Sequence, residues 1–505
     1  MKNSDKTVIT TKSGKIKGAF QDGLYIFKGI PYAAPPVGEF RWLPPQPVKP
    51  WKGIRQAQTF GTIAPQSGSL VLAPEYEIEE PQSEDCLYLN VWSPGTDDSR
   101  RPVLVWIHGG AFNRGSGSSP MYPGTTLARR GNAVVVTFNY RLGPLGFLHL
   151  KKVTGGRIPA TGNEGLLDQI AALRWVQDNI ASFGGDPDNV TIFGESAGGM
   201  SIGCLLAMPQ ARGLFHKAIL QSGSNTVKSL DKAIRLTEQY LGLLGVGAGD
   251  VRALSSLTVE RLLSAQQELS AKLNIKGSVL EPVVDGETLP ELPIDAVRHG
   301  SAGKVAVMAG TNLEEAKFMD RTDRGLSKVD EAGLLQRWQR VLPADLVPGL
   351  IENCRQALAK QGMPAGAPEI ALALQTHRQF RIPAIRLVEA HHSQGQPDYT
   401  YLFTWKSPAP GLGACHAVDI GFVFGTLSAS FSGTGPAAEK LAKIIQDAWL
   451  AFAHTGNPSC ESLGNWPQYS SRRETMMLGE DCHVEEAPYD EERRAWDPIP
   501  NMFLG

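Results

Sequence analysis

Five short apolar runs constrain this chain more than anything else in it: VLVWIH (103–108), AVVVTF (133–138), VTIF (190–193), AILQS (218–222) and VAVMAG (305–310). Each is too short for a buried helix and nearly continuous in apolar residues. That pattern suits strands covered on both faces, as in the centre of a parallel sheet. Helical stretches fall between some of them. LLDQIAALRWVQDNIASF (166–183) repeats its apolar residues at helical spacing and stops at Gly184-Gly185-Asp186-Pro187. Alternating strand and helix predicts an α/β sandwich.

The remainder of the chain fits around that centre. The first ninety residues are rich in Pro and Gly and read as small antiparallel strands and loops. Residues 230–273 and 324–374 read as helical, so insertions are expected around 230–280 and 324–395. With no internal repeat, low-complexity tract or flexible linker, 1–505 is expected to be a single domain carrying these insertions.

Composition narrows the partners. Of the 505 residues, 42% are hydrophobic and 20% charged, with a net charge of −2, which gives no basic surface for nucleic acid or an anionic membrane. No apolar run is long enough to span a bilayer, and the N-terminal MKNSDKTVITTKSGK lacks the apolar core of a signal peptide. Cys86, Cys204, Cys354, Cys415, Cys460 and Cys482 show no CxxC pair and no zinc spacing, so no metal is expected. Reduced thiols in a cytoplasmic protein are the expectation.

Gly194-Glu195-Ser196-Ala197-Gly198 lies between VTIF and the helical AGGMSIGCLLAM. Exposing a serine at a strand's end needs a sharp turn and a strained backbone at Ser196. The residues two positions to either side then approach each other and must be small. The following helix directs its N-terminus at developing negative charge. Upstream, His108-Gly109-Gly110-Ala111-Phe112 follows VLVWIH, and glycines leave backbone N–H groups uncovered. The amides of Gly109, Gly110 and Ala197 are therefore candidate oxyanion donors. His108 precedes the serine, the wrong chain order for a base, and is expected to be structural.

A serine on such a turn calls for an acid and then a histidine later in the chain. His391 and His392 lie in a polar helical stretch and are expected to be solvated, and His454 should decorate a helix end. His416 sits in GLGACHAVDIGFVFG, a Gly-bearing loop after the strand-like YTYLFTW, and a base needs such a loop to reach over a sheet. Candidate acids are Asp285, Glu314, Glu315 and Asp320. Glu314 and Glu315 follow VAVMAG, at the strand end where α/β proteins place functional groups, and the residues alone do not choose between them.

These motifs, taken in order, resemble the type-B carboxylesterases, the family that includes bacterial p-nitrobenzyl esterases and animal cholinesterases. FKGIPYAAPPVGEFRW (27–42) and SEDCLYLNVW (83–92) resemble its two N-terminal signatures. HGGAF, FNYRLGPLGFL (138–148), the segment 162–199, PVVDG, CHAVDIGFVFG (415–425) and TGNP (455–458) follow in family order, so the resemblance covers nearly the whole chain. It implies an α/β-hydrolase fold, with a central mostly parallel sheet flanked by helices and a small N-terminal antiparallel sheet. It implies Ser196, Glu315 and His416 as the triad, with Ala316 where relatives carry glycine and Gly421 where many carry proline. It also implies that Glu195 is buried beneath the triad, joined by Ser222. The tight turn is expected to send the Glu195 and Ser196 side chains in different directions, making Glu195 a poor aligner of His416. Secreted relatives pair the cysteine of the EDCLYLN motif with one upstream, a place held here by Ala64, which implies a disulfide-free, intracellular enzyme of bacterial type.

The expected function is hydrolysis of a small carboxylic ester through an acyl-enzyme, with no cofactor and a monomer as the working unit. Amide or carbamate cleavage on the same fold and a non-catalytic adhesion role, seen in relatives that lack the serine, are the alternatives. A choline-type ester would need an aromatic cation site that no motif identifies. Phe112, Phe318 and Met319 follow the candidate loops and belong either to the substrate pocket or to the core.

Overall fold

The apolar runs become strands, whose ends differ from those of the runs by up to five residues. The computed structural model describes residues 5–68, 73–78, 80–275, 277–321 and 325–505. Among these, an eleven-stranded sheet runs in the order His483–Glu486, Glu474–Leu478, Asp398–Phe403, Ala306–Asn312, Lys217–Gln221, Gly185–Glu195, Arg101–Ile107, Val134–Phe138, Tyr88–Ser93, Leu24–Pro31 and Ala19–Gln21. The strands from Glu474–Leu478 through Val134–Phe138 all pair in parallel. The remaining strands extend both edges in antiparallel fashion. A separate small sheet pairs Val8–Thr11 with Gly14–Lys17 antiparallel, while Ile54–Gln56 joins it in parallel, so that sheet is mixed.

Alternation along the central strands divides the core in two. Val103, Val105 and Ile107 join one apolar cluster, while Leu104 and Trp106 join another, as side chains on opposite faces of a pleated strand must. The helix Glu164–Asn179 buries its apolar stripe in the first cluster. It tightens into a 3₁₀ turn at Ile180–Phe183 and ends at Gly184, whose φ of +77° suits the absence of a Cβ. Phe112 is buried in this same cluster, its ring 4.9 Å from Phe147, so of the two readings left open for it the core is correct.

The segment expected as the first insertion holds the helices Leu230–Leu244, Val251–Ser256 and Val259–Lys272; the segment expected as the second holds Glu331–Gln339, Val347–Lys360 and Ala367–Thr376. Side-chain N-caps start several of them: Ser229, Asp250, Thr258 and Asp330 each accept an N–H three residues on. Arg324, the expected start of the second insertion, lies outside the described residues. A third apolar cluster around Trp338, Leu350 and Ile370 joins that insertion to Trp496 near the C-terminus. No helix among the described residues is long and apolar enough to cross a membrane, and all six cysteines are unpaired.

One buried ion pair fixes the loop after Val134–Phe138. Arg141 Nε and Nη2 each donate to Asp168 at 2.8 Å, and the Arg141 backbone N–H donates to the same carboxylate at 3.0 Å. Arg141 Nη1 also reaches Leu43 O at 2.8 Å. The neighbouring Tyr140 donates its hydroxyl to His108 O at 2.8 Å and stacks on the His108 ring at 4.3 Å. The anchor therefore extends to the loop that carries Gly109 and Gly110.

Candidate active site

Ser196 sits between the last residue of Gly185–Glu195 and the first of the helix Ala197–Ala207, with φ +54° and ψ −122°. A non-glycine residue is strained there and is held by its surroundings. Its N–H donates to Gln221 O at 2.9 Å, and its carbonyl accepts from Met200 N at 2.8 Å. The flanking glycines are steric necessities. A Cβ on Gly198 would fall 2.0 Å from Ile107 O, and one on Gly194 would fall 2.8 Å from the Gly198 carbonyl carbon.

His416 and Glu315 reach this serine from two other loops. His416 Nε2 lies 2.8 Å from Ser196 Oγ, and His416 Nδ1 lies 2.7 Å from Glu315 Oε2. The carboxylate beside Nδ1 assigns the ring proton to that nitrogen, which leaves Nε2 as the acceptor for the serine hydroxyl. The Asn312 backbone N–H donates to Glu315 Oε1 at 2.7 Å, so both carboxylate oxygens are held. Glu314 instead pairs with Lys317 at 2.5 Å and accepts from Ala414 N at 2.9 Å. Asp285 caps its own turn and Asp320 accepts from Ser327 N.

The other histidines differ in their fates. His108 is fully buried and donates from Nδ1 to Gly109 O at 2.9 Å. Burial, only partly opposed by that bond, pushes its pKa down to about 4 and keeps the ring neutral. His454 is exposed in the last turn of Pro436–Thr455. The expectation for His391 fails: it is buried and lies 2.6 Å from Asp398, because the helix Ile382–His392 packs one face on the sheet. His392, one residue on, is exposed as expected.

Glu195 is buried, and the turn does not keep it away from His416: its Oε1 lies 3.2 Å from His416 Nε2, on the serine side of the ring. Ser222 does not reach it. Ser222 Oγ is buried without a hydrogen-bond partner among the described residues, its backbone left-handed at φ +50° with the N–H donated to Gly310 O. The polar layer under the site comes instead from Asp419, which sequence reasoning missed. Asp419 accepts from Gln221 Nε2 at 2.7 Å and Asn312 Nδ2 at 3.2 Å, and Trp449 Nε1 donates to Gln221 Oε1 at 3.2 Å. The signal was available: an aspartate in the otherwise apolar AVDIGFVF needs a buried partner.

These acids perturb one another. Burial, opposed by His416 and reinforced by Asp419 and Glu315, raises the Glu195 pKa to about 8. Burial alone would depress His416, but Glu195 and Glu315 outweigh it and raise the imidazole above its ordinary 6.5. Asp419 is raised by burial as well. Glu195 and His416 titrate as one coupled pair.

A cavity of about 430 Å³ opens over Ser196 and His416. Gly109 and Gly110 form part of its wall, and a Cβ on Gly109 would fall 3.2 Å from Ser196 Cβ. Ala111 and Phe112 follow at φ +54° and +57°, two left-handed residues that fold this loop back over the serine. Phe318 and Met319 line the cavity, with the Phe318 ring 6.3 Å from His416.

A mostly parallel sheet between helices, with a serine on a strained strand-to-helix turn at its carboxyl edge, defines an α/β-hydrolase. The carboxylesterase family model matches residues 5–496, and the chain belongs to that family of carboxylic ester hydrolases. It is 39% identical over 504 residues to the para-nitrobenzyl esterase of Bacillus subtilis (strain 168), covering 97% of this chain and 98% of that one. It is 33% identical over 531 residues to carboxylesterase 1C of Rattus norvegicus, covering 98% and 94%. Among solved structures, a Geobacillus stearothermophilus carboxylesterase at pH 6.2 superposes with a TM-score of 0.88 and 42% identity, covering 97% of this chain and 100% of that one.

Proposed function

We propose that this chain hydrolyses carboxylic esters through an acyl-enzyme on Ser196. The observation that carries the reading is the unbroken run from Glu315 through both His416 nitrogens to Ser196 Oγ, at 2.7 and 2.8 Å. His416 Nε2 takes the serine proton as Oγ attacks the ester carbonyl. Glu315 holds the tautomer and balances the imidazolium that forms. The carbonyl oxygen gathers negative charge against the amides of Gly109, Gly110 and Ala197. The imidazolium then protonates the departing alcohol, and water cleaves the acyl-enzyme by the same steps in reverse. One chain supplies every group in this scheme, and we read 1–505 as one catalytic domain with its two helical insertions. Steady-state hydrolysis of p-nitrophenyl acetate, butyrate and octanoate by wild type and Ser196→Ala tests it; equal activity in the two proteins overturns the role of Ser196.

The pH dependence follows from the coupled pair. Acylation needs neutral His416, so kcat/KM is expected to rise with pH, with a midpoint above the ordinary imidazole value of 6.5. As pH rises Glu195 ionises and strengthens its hold on the imidazolium. Glu195→Gln removes that charge, so the acid limb is expected to move to lower pH by on the order of one unit. A pH–rate profile for p-nitrophenyl butyrate measures this, and an unmoved limb would mean that Glu195 does not act on His416.

A further inference from the structure

Among the described residues that line the cavity, Arg114 is the one arginine, and there is no lysine. Arg114 closes the loop that begins at His108: its N–H donates to Gly110 O at 3.1 Å, and its Cγ lies 2.9 Å from where a Cβ on Gly110 would sit. The side chain therefore leans over a candidate oxyanion glycine, within the space that opens on Ser196.

Several shielded arginines have acids beside them, and buried Arg381 instead donates to Pro488 O at 2.9 Å and lies over the Tyr489 ring at 4.5 Å. Arg141 meets Asp168 at 2.8 Å, Arg101 meets Asp97 at 2.6 Å, and Arg41 meets Glu84 at 2.5 Å. Half-buried Arg114 has no ion pair among the described residues. Burial depresses its pKa with no acid opposing it, although a guanidinium keeps its charge at any working pH. Neighbouring polar groups are committed elsewhere: Gln66 Oε1 accepts from Gly115 N, and Gln66 Nε2 donates to Gly115 O and Ala64 O. Glu77 lies exposed at the cavity rim, and Glu195 lies buried beneath the serine. An unneutralised, partly desolvated guanidinium is costly unless a ligand supplies the anion, and its planar fork matches a carboxylate.

We propose that Arg114 binds a carboxylate carried by the substrate, so that the preferred esters bear a carboxylate on the acyl or the alcohol side. This rests on the esterase reading of Ser196. Arg114 contributes to specificity and stays outside the bond-making steps.

Two matched pairs test it: monoethyl adipate against ethyl hexanoate for the acyl side, and 4-acetoxybenzoate against phenyl acetate for the alcohol side. The readout is the ratio of kcat/KM for the carboxylated over the neutral ester within each protein. That ratio is expected to fall by about ten- to hundredfold from wild type to Arg114→Leu in at least one pair. Arg114→Lys, which keeps the charge and loses the fork, is expected in between. In wild type alone, adipate is expected to compete with ethyl hexanoate, and added salt to weaken that competition. Equal ratios in all three proteins, or wild type showing neither adipate competition nor a carboxylate preference, would overturn the proposal. Failure of wild type on all four esters would instead overturn the esterase scheme itself.

Discussion

Ser196→Ala is expected to lower kcat for p-nitrophenyl butyrate by about a million-fold, to the background left by the oxyanion donors and substrate binding. The substitution removes one atom, Oγ, which lies 2.8 Å from His416 Nε2. In the proposed scheme His416 then has no nucleophile to deprotonate, and Glu315 orients a base with no partner. His416→Ala is expected to cost about as much, and the double variant little more, because the groups act as a unit. The fold gives no reason for the alanine protein to unfold: alanine adopts φ +54° no less easily than serine, and the crowding glycines are untouched. Circular dichroism and the melting temperature are therefore expected to match wild type while turnover collapses. Turnover within tenfold of wild type would place the nucleophile elsewhere.

Asp168→Ala is expected to destabilise the protein by about 3–5 kcal/mol, a large share of the stability of a folded domain. Three donors of Arg141 converge on this carboxylate, and both side chains are buried. Burial alone would depress the Arg141 pKa, and Asp168 outweighs it and holds the pKa above the ordinary value. Removing the acid strands a guanidinium and a backbone N–H without water to receive them. The damage is expected to spread along the chain, because Tyr140 holds the His108 ring and carbonyl. The fraction that stays folded is then expected to show a lower kcat than wild type. Urea unfolding followed by tryptophan fluorescence measures the loss, and a change below about 1 kcal/mol would show the pair to be energetically idle.

Which parts of this were legible in the chain follows from how local each signal is. Strand runs and the helix 164–179 were legible because apolar periodicity is set by the near neighbours of each residue. The Ser196 turn was legible for the same reason: Gly194 and Gly198 must be small because they touch each other. Glu314 and Glu315 were not separable by residue type. They differ by one step at the end of Ala306–Asn312, and that step sends one carboxylate to Lys317 and the other to His416. His391 was misread because a polar stretch of sequence says nothing of which helical face meets the sheet. Ser222 and Asp419 exchanged importance because the polar layer under the serine is assembled from strands and loops far apart in the chain.

By itself, then, the sequence determined the alternation of strand and helix, the turn at Ser196 and the glycine loop, since each is written in residues adjacent along the chain. The family resemblance named Glu315, which residue type alone did not separate from Glu314; only the tertiary structure decided that Glu195 comes within 3.2 Å of the His416 ring, and that Arg114 stands in the cavity without an ion pair among the described residues. Those depend on distances between segments a hundred or more residues apart, which packing and burial set and local pattern does not.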